Sequence, residues 1–417
     1  LKFDNQLRHA TAIIDTYKGE MPLHTWLKSF FRDNKQMGSR DRKLLSTLVY
    51  GYYRLGHAVK TLPTAERILA GLFLCNDQPG DFLQHFHPEW TDKAALSLEE
   101  KILFYQSQPT GVSFRITDIF PWPDELSTGI EHQALCLSFL RQPDLFLRIR
   151  PGFEKTVLQK LDSSRATPHE FIPPCTLRLP NGFKVEDYFT PDHEIVIQDY
   201  SSQRLASFFQ SPALAPASGA TPGATTPTTF WDACAASGGK SILAHDIYPA
   251  MEITASDVRE SILVNLRHRF QVAGIKTYSA FAADLTRDLP LIADPKNSNS
   301  AKPRPKQFDL VLVDAPCTGS GTWSRTPEEL FFFDPRKIAH YTAIQRKILG
   351  HIAHDLTPGT CLVYSTCSVF KKENEEIADF LRENFGLEQD RMENIKGYDQ
   401  RADTMFAGRF RTSLGYH

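Results

Sequence analysis

Apolar residues recur every three or four positions through the first 140 residues, the spacing of helices with one buried face. The pattern predicts helices over 5–18, 23–31, 39–54, 64–75, 91–104 and 131–141. The strongest is 39–54, where Leu44, Leu45, Leu48, Val49 and Tyr52 form one apolar stripe and Ser39 stands at a capping position. From Leu145 the texture changes. Residues 146–150 read as a strand, 154–161 as a helix and 169–200 as short strands, a small α+β module. A helix resumes at 201–209.

Beyond a Pro/Ala/Gly/Thr-rich stretch at 211–229, which predicts an exposed loop, strand and helix alternate. Strands are predicted at 230–233, 251–256, 276–279, 308–313, 360–364 and 405–411. Helices are predicted from the turn at 236–241 to about 246, then at 259–272, 341–356 and 373–384. A polar insertion is expected at 294–306. Such alternation predicts a doubly wound, mostly parallel sheet. The chain therefore divides into a helical domain (1–142), a small α+β module (143–200) and an α/β domain (201–417).

The 417 residues are 41% hydrophobic and 23% charged, enough for a sizeable core and two or three domains. Net charge is −2, which excludes a uniformly basic nucleic-acid binder. Its distribution is uneven. Residues 1–60 hold eleven Lys/Arg against five Asp/Glu, and residues 61–132 hold four against eleven. That asymmetry fits a phosphate-facing surface or an ordinary solvated one. Arg40, Arg42, Lys43 and Arg54 are the basic residues of the third helix. Seven cysteines without a CxxC pattern argue against a disulfide framework and a zinc site, and for a reducing compartment. No window is long and apolar enough for a membrane span and no apolar leader is present, so the cytoplasm is expected.

Two of these cysteines stand just beyond buried strands. Cys317 lies in Val311-Leu-Val-Asp-Ala-Pro-Cys-Thr-Gly-Ser-Gly321 and Cys367 in Leu362-Val-Tyr-Ser-Thr-Cys-Ser368. A single such Cys is usually a small core hydrophobe. Two in turn-forming contexts at strand ends point to nucleophilic chemistry. After the first strand of the alternation comes Asp232-Ala-Cys-Ala-Ala-Ser-Gly-Gly-Lys-Ser241. Gly238 and Gly239 permit positive φ and close backbone approach, and the next helix offers free N–H groups. Neither a Walker A nor a GxGxxG spacing is present. Asp257 ends the second strand, placed for a ribose diol or for capping the next helix. Asp284 beyond the third strand is placed for an adenine edge.

These pieces resemble the NOL1/NOP2/Sun family of S-adenosylmethionine-dependent RNA cytosine-C5 methyltransferases, and in particular bacterial 16S rRNA enzymes of the RsmB/RsmF kind. The resemblance rests on 232–241, Ser256-Asp-Val258, 314–321, Ser365-Thr-Cys-Ser-Val-Phe-Lys-Lys-Glu-Asn374 and Gln198-Asp-Tyr-Ser-Ser-Gln-Arg204, and covers about 185–411. More loosely, 39–54 resembles a helix of the NusB-like RNA-binding domain. The resemblance implies a Rossmann-like class I methyltransferase fold preceded by a helical NusB-like domain and a small α+β module. It implies S-adenosyl-L-methionine as cofactor, held by Cys234, Ala235, Ala236, Ser237, Gly238, Gly239, Lys240, Asp257, Asp284 and Asp314. Asp314 and Lys240 would lie near the base, Cys367 would be the nucleophile and Cys317 would help release product. The implied partner is RNA, 16S rRNA or a small-subunit precursor, and the implied state is a monomer. The chain departs from the family pattern at Ser237 (usually Pro), Ile262 (usually Arg), Arg269 (usually Asn) and Asp403-Thr-Met-Phe406 (usually Asp-Gly-Phe-Phe).

The chemistry asks for these groups. Cytosine C5 is a poor nucleophile until a thiolate adds at C6, which splits one hard step into easier ones. Protonation at N3 would absorb the charge, and Asp314 as a carboxylic acid of raised pKa is the candidate to assist. Arg40, Arg42, Lys43, Arg325 and Arg336 are candidates for RNA phosphates, and Trp323, Phe331, Phe332 and Phe333 for core packing or base stacking. The competing readings are a catalytically silent RNA-binding or ribosome-assembly factor, and a DNA methyltransferase in which Cys317 attacks.

Overall fold

The computed structural model describes residues 2–78, 80–108, 113–164, 168–210, 226–287 and 307–412. The loops expected at 211–229 and 294–306 fall largely or wholly outside these residues. In chain order the helices are α1 (Lys2–Thr16), α2 (Leu23–Asp33), α3 (Ser39–Arg54), α4 (Thr64–Cys75), α5 (Gly80–Phe86), α6 (Pro88–Thr91), α7 (Leu98–Gln106), α8 (His132–Phe139), α9 (Glu154–Ser164), α10 (Tyr200–Arg204), α11 (Ala206–Phe209), α12 (Gly239–Ile247), α13 (Glu260–Ala273), α14 (Pro327–Phe331), α15 (Arg336–His354) and α16 (Glu375–Phe385). The strands are β1 (Leu145–Ile149), β2 (Glu170–Ile172), β3 (Thr176–Leu179), β4 (Ile195–Ile197), β5 (Thr229–Asp232), β6 (Glu252–Asp257), β7 (Tyr278–Ala282), β8 (Leu310–Asp314), β9 (Cys361–Thr366), β10 (Glu388–Ile395) and β11 (Met405–Arg411).

The chain forms two compact units. The first comprises Leu1–Leu126, Ile130–Pro143 and Thr322–Pro335; the second comprises Ser127–Gly129, Asp144–Gly321 and Arg336–His417. The small α+β module thus belongs to the same unit as the large sheet, and a segment just after Cys317 belongs to the helical unit.

In the helical unit α3 crosses α4 at two glycines. A Cβ on Gly71 would lie 2.4 Å from the Gly51 carbonyl oxygen, so the backbones meet where side chains cannot fit. Gly38 rather than Ser39 is the α3 N-cap, and no side chain caps this end. Arg54, expected among the phosphate-facing residues, is buried and donates to the carbonyls of Phe139, Arg141 and Ser324. A buried guanidinium is tolerated when its donors are matched in this way. The Thr322–Pro335 segment supplies core aromatics. Phe331 and Phe332 pack edge-on against Tyr53 and Tyr17, respectively, and Phe333 packs on Trp122 and Trp323.

Among the described residues, the second unit has a four-stranded antiparallel sheet, β2-β3-β1-β4, and a seven-stranded one, β10-β11-β9-β8-β5-β6-β7. In the latter, β7, β6, β5, β8 and β9 are parallel, and β11 and β10 close one edge antiparallel. Alternation builds two cores. Phe230, Leu310, Leu312 and Val363 pack with Leu263, Leu266 and Phe270 of α13. Trp231, Val311, Val313 and Leu362 pack with Leu349 and Ile352 of α15 and Ile377 and Leu381 of α16. From β5 the chain runs outward to β6 and β7, then returns to β8 on the other side. The ends of β5 and β8 therefore flank a topological switch point, where such sheets open a crevice. The four-stranded sheet is anchored by Arg148 and Arg150, which pair with buried Asp246 of α12.

Candidate active site

β8 and β9 are neighbours in register, with Asp314 opposite Ser365. The loops that follow therefore start side by side, and the sulfurs of Cys317 and Cys367 lie 3.4 Å apart. Glu373 locks the two loops. Its buried carboxylate accepts from the Thr318 N–H (2.9 Å) and hydroxyl (2.6 Å) after Cys317, and from the Ser368 hydroxyl after Cys367. Gln345 of α15 donates to it as well (3.2 Å). Burial outweighs these bonds and pushes the Glu373 carboxyl above its usual range. Gly321 ties the same loops through backbone. Its N–H donates to the Cys367 carbonyl (2.8 Å), and its carbonyl accepts from the Thr404 N–H (2.9 Å). A Cβ at Gly321 would sit 1.9 Å from the Thr404 oxygen.

The contact with Cys367, then burial, then the nearby Cys367 and Glu373 charges push the Cys317 thiol well above the ordinary range. Cys317 is thereby held as a neutral S–H beside Cys367.

Lys240, on the first turn of α12, reaches the end of β8. Its ammonium lies 2.7 Å from Asp314 Oδ2, and the Ser365 hydroxyl donates to Oδ1 at 2.7 Å. Burial works against the Lys240 charge, but the Asp314 charge and hydrogen bond, with Cys367 and Asp232 beyond, outweigh it and raise its pKa. Both Asp314 oxygens accept from donors, one of them cationic.

Beside this pair a cavity of about 440 Å³ opens at the switch point. That volume is within the roughly 300–1,000 Å³ range of small-molecule sites. Of the ten candidate cofactor residues, Cys234, Ala236, Asp257, Asp284 and Asp314 line it; Ala235, Ser237, Gly238, Gly239 and Lys240 do not. Asp257 Oδ2 accepts from the Ala236 N–H (3.0 Å), and Oδ1 from the Arg259 N–H (3.0 Å). It thus orders both the glycine loop and the start of α13. Hydrogen bonds from Thr286 hold the Asp284 carboxyl below its usual range. Burial raises the Cys234 thiol, which leaves it a neutral wall. Burial also pushes the Asp232 carboxyl up to about 7, against a hydrogen bond from Ser241.

The loop's positive φ values fall on Ala236 (45°) and Gly238 (81°) rather than on Gly239. A side chain at Gly238 would meet the Phe270 ring at 2.7 Å. Two departures from the family pattern meet here. The Arg269 guanidinium donates to the Ser237 carbonyl (3.1 Å) and hydroxyl (3.0 Å) and pairs with both carboxylate oxygens of Asp192 (2.8 and 2.7 Å). At the third, Ile262 packs against the core, while Arg259 places a guanidinium 3.1 Å from Asp257. At the fourth, the Thr404 hydroxyl accepts from the N–H groups of Gly397 and Tyr398 (3.2 and 3.3 Å).

Sequence reasoning missed the apolar and basic walls of the cavity: Val258, Arg259, Leu285, Ile344 and Ile348. Ile344 and Ile348 carry the one usable signal, since an i, i+4 pair shares a helix face. Val258 is 64% exposed, conspicuous for a residue following a buried strand. The basic candidates are dispersed. Arg40 and Lys43 are exposed on the first turns of α3, and the part-buried Arg42 donates to the Met37 carbonyl. Arg325 belongs to the helical unit, whereas Arg336 opens α15 in the other. Among the described residues no helix is long and apolar enough to cross a membrane, and no group of three or more His, Cys, Asp or Glu is placed to hold a metal ion.

Residues 224–408 match the family described as 16S rRNA methyltransferase RsmB/F. Over 191 residues the chain is 33% identical to ribosomal RNA small subunit methyltransferase B of Xanthomonas campestris, covering 45% of this chain and 38% of that protein. Over 81 residues it is 41% identical to ribosomal RNA small subunit methyltransferase F of Salmonella heidelberg, covering 19% and 17%. The matches thus span well under half the length of these relatives. The fold resembles the crystal structure of PH0851, with a TM-score of 0.63, 18% identity and 97% of each chain covered. It also resembles NSun6 from Pyrococcus horikoshii with SFG, with a TM-score of 0.54, 14% identity and 71% and 97% covered.

Proposed function

Because residues 224–408 belong to the RsmB/F family, we propose that this protein transfers a methyl group from S-adenosylmethionine to carbon 5 of a cytosine in ribosomal RNA, 16S rRNA by the family's description. The observation that carries this reading is the pair of thiols 3.4 Å apart, one beyond the Asp314 that also lines the switch-point cavity. The cavity residues fit the cofactor: carboxylates Asp257 and Asp284 at strand ends suit a ribose diol and an amino edge, and Val258, Leu285 and Ile348 offer apolar walls for a flat ring. When bound, S-adenosylmethionine supplies a methyl group on a sulfonium, an electrophile that needs an electron-rich C5.

Cys367 supplies that electron density. Its thiol gives up its proton to water, the thiolate sulfur bonds to C6, and the C5–C6 π pair moves onto C5 and by conjugation into the ring toward N3. The Lys240–Asp314 pair sets a fixed ammonium and carboxylate beside the base, where they stabilise the displaced charge and hold the ring. After C5 has taken the methyl group, its proton passes to water. The C5–C6 double bond re-forms as the S–C6 bond breaks. Cys317, whose sulfur lies 3.4 Å from that of Cys367, donates a hydrogen bond to the departing sulfur. The base must be unstacked for this chemistry, at a cost of a few kcal/mol in a loop or single strand. The seven free cysteines suit a reducing compartment, in keeping with cytoplasmic ribosomal RNA.

Alanine at each thiol, combined with an RNA carrying 5-fluorocytosine, tests the assignment. Cys367→Ala is expected to abolish both methyl transfer and the covalent adduct; Cys317→Ala is expected to trap adduct. Adduct that survives loss of Cys367 but not of Cys317 would reverse the roles. RNA binding by the wild type without transfer of labelled methyl would favour a silent assembly factor.

A further inference from the structure

The helical unit carries an open groove of about 1130 Å³ that no step above uses. Trp26 and Phe30 of α2 border it, with Lys28, Arg32, Lys35 and Arg42. The two rings stand one helical turn apart, stacked at 5.4 Å between centroids and 11° from parallel. The Tyr17 ring braces the indole edge-on at 5.6 Å. Neither Trp26 nor Phe30 is fully buried. The pair packs on buried Tyr17 and Phe31 and keeps a part-exposed side along the groove.

The charge around the rings says what covers it. Four cations face one carboxylate, Asp33. Lys28 and Lys35 are exposed and make no ion pair among the described residues. The Arg32–Asp33 contact is a loose 3.5 Å between two largely exposed groups, which contributes little in water. Flat rings flanked by unspent cations are the two ingredients of single-strand nucleic-acid binding: π faces for bases and positive charge for the backbone. A duplex would hide its base faces from these rings. An acidic protein would use the cations but has no need of a stacked aromatic pair.

We infer that the α2 groove binds single-stranded RNA flanking the target, a reading that rests on the RNA substrate proposed above. The groove acts through RNA affinity and has no part in the methyl-transfer step. Only Arg42 of the basic residues singled out in the sequence belongs to it.

The test uses the full chain with three variants: the double substitution Trp26→Ala/Phe30→Ala, the double reversal Lys28→Glu/Lys35→Glu, and the conservative Trp26→Tyr. Anisotropy with a labelled single-stranded rRNA fragment, the matching blunt duplex and polyglutamate is measured beside methyl-transfer kinetics, and binding of S-adenosylhomocysteine reports that the second unit is intact. The aromatic double variant is expected to lose tenfold or more in affinity for the single strand and to raise the RNA KM alike, with kcat kept at saturating RNA. Trp26→Tyr should restore most of it, and the charge reversal should weaken the single strand and flatten its salt dependence. Unchanged RNA affinity in both double variants of an enzyme that methylates RNA would overturn the groove and leave the function standing. Wild type that neither binds nor methylates RNA would overturn both. Polyglutamate binding that falls with the aromatic pair, while RNA binding does not, would assign the groove to an acidic protein instead.

Discussion

The thiol pair and the cofactor cavity sit at the same strand ends but are held in different ways. Around Cys317 and Cys367 the restraint is redundant: Glu373 clasps both loops through side chains, and Gly321 clasps them again through backbone. Around the cavity the glycine loop has fewer ties, and one runs outward, from Ser237 through Arg269 to Asp192 of the small α+β module. A nucleophile must meet one atom at one angle, so its frame tolerates little play. A cofactor loop has only to keep a shape, and can rest on a residue 77 positions away in sequence from its partner.

Glu373→Ala attacks that frame most directly. It leaves two hydroxyls, an N–H and an amide facing a void, and on the order of 3–5 kcal/mol of stability is expected to go. Urea denaturation measures this, and adduct formation on 5-fluorocytosine RNA should fail even where S-adenosylhomocysteine still binds. Asp232→Asn sharpens the cavity side through pH. The folded protein keeps a proton on Asp232 up to about pH 7, whereas the carboxyl's ordinary value is 3.8. Between these values the unfolded chain binds fewer protons than the native state, so this group lowers stability as pH rises. Asparagine removes that slope, and stability curves of variant and wild type should diverge by up to about 4 kcal/mol between pH 4 and pH 8. Gly321→Ala forces a methyl group against the Thr404 carbonyl, with an expected loss of about 1–3 kcal/mol and a lowered kcat. Arg269→Ala is the mildest. Calorimetry should show S-adenosylhomocysteine binding about tenfold weaker, one lost charge-assisted bond's worth. Asp192→Asn should act in the same direction, less than additively with it, while kcat at saturation holds. Equal damage to kcat by Arg269→Ala and Glu373→Ala would erase the distinction between the two regions.

Much of this was legible in the chain because it is local. The βα alternation, the strand-end cysteines and the acid at the end of β6 are each written in a few consecutive residues. β10 was not: Glu388–Ile395 lies at an antiparallel edge and holds only two apolar residues, Met392 and Ile395, without the apolar run of its buried neighbours. Arg54 read as surface charge because its three carbonyl partners come from α8, the turn after it and the segment beyond Cys317. The Arg269–Ser237 bond was unreadable for the same reason. Each residue looked like an isolated departure, and their meeting is a fact of packing.

The Thr322–Pro335 segment has a consequence for how such a protein is inherited. Trp323, Leu330 and Phe333 are buried there among the aromatics of the helical unit. A gene fragment beginning at 144 would leave these side chains with no core to enter, and one ending at 143 would lack them. Neither unit is a portable cassette. Any recombination that exchanges one of them for a foreign counterpart has to carry two separated stretches of the reading frame together, or repair the mismatch by mutation afterwards.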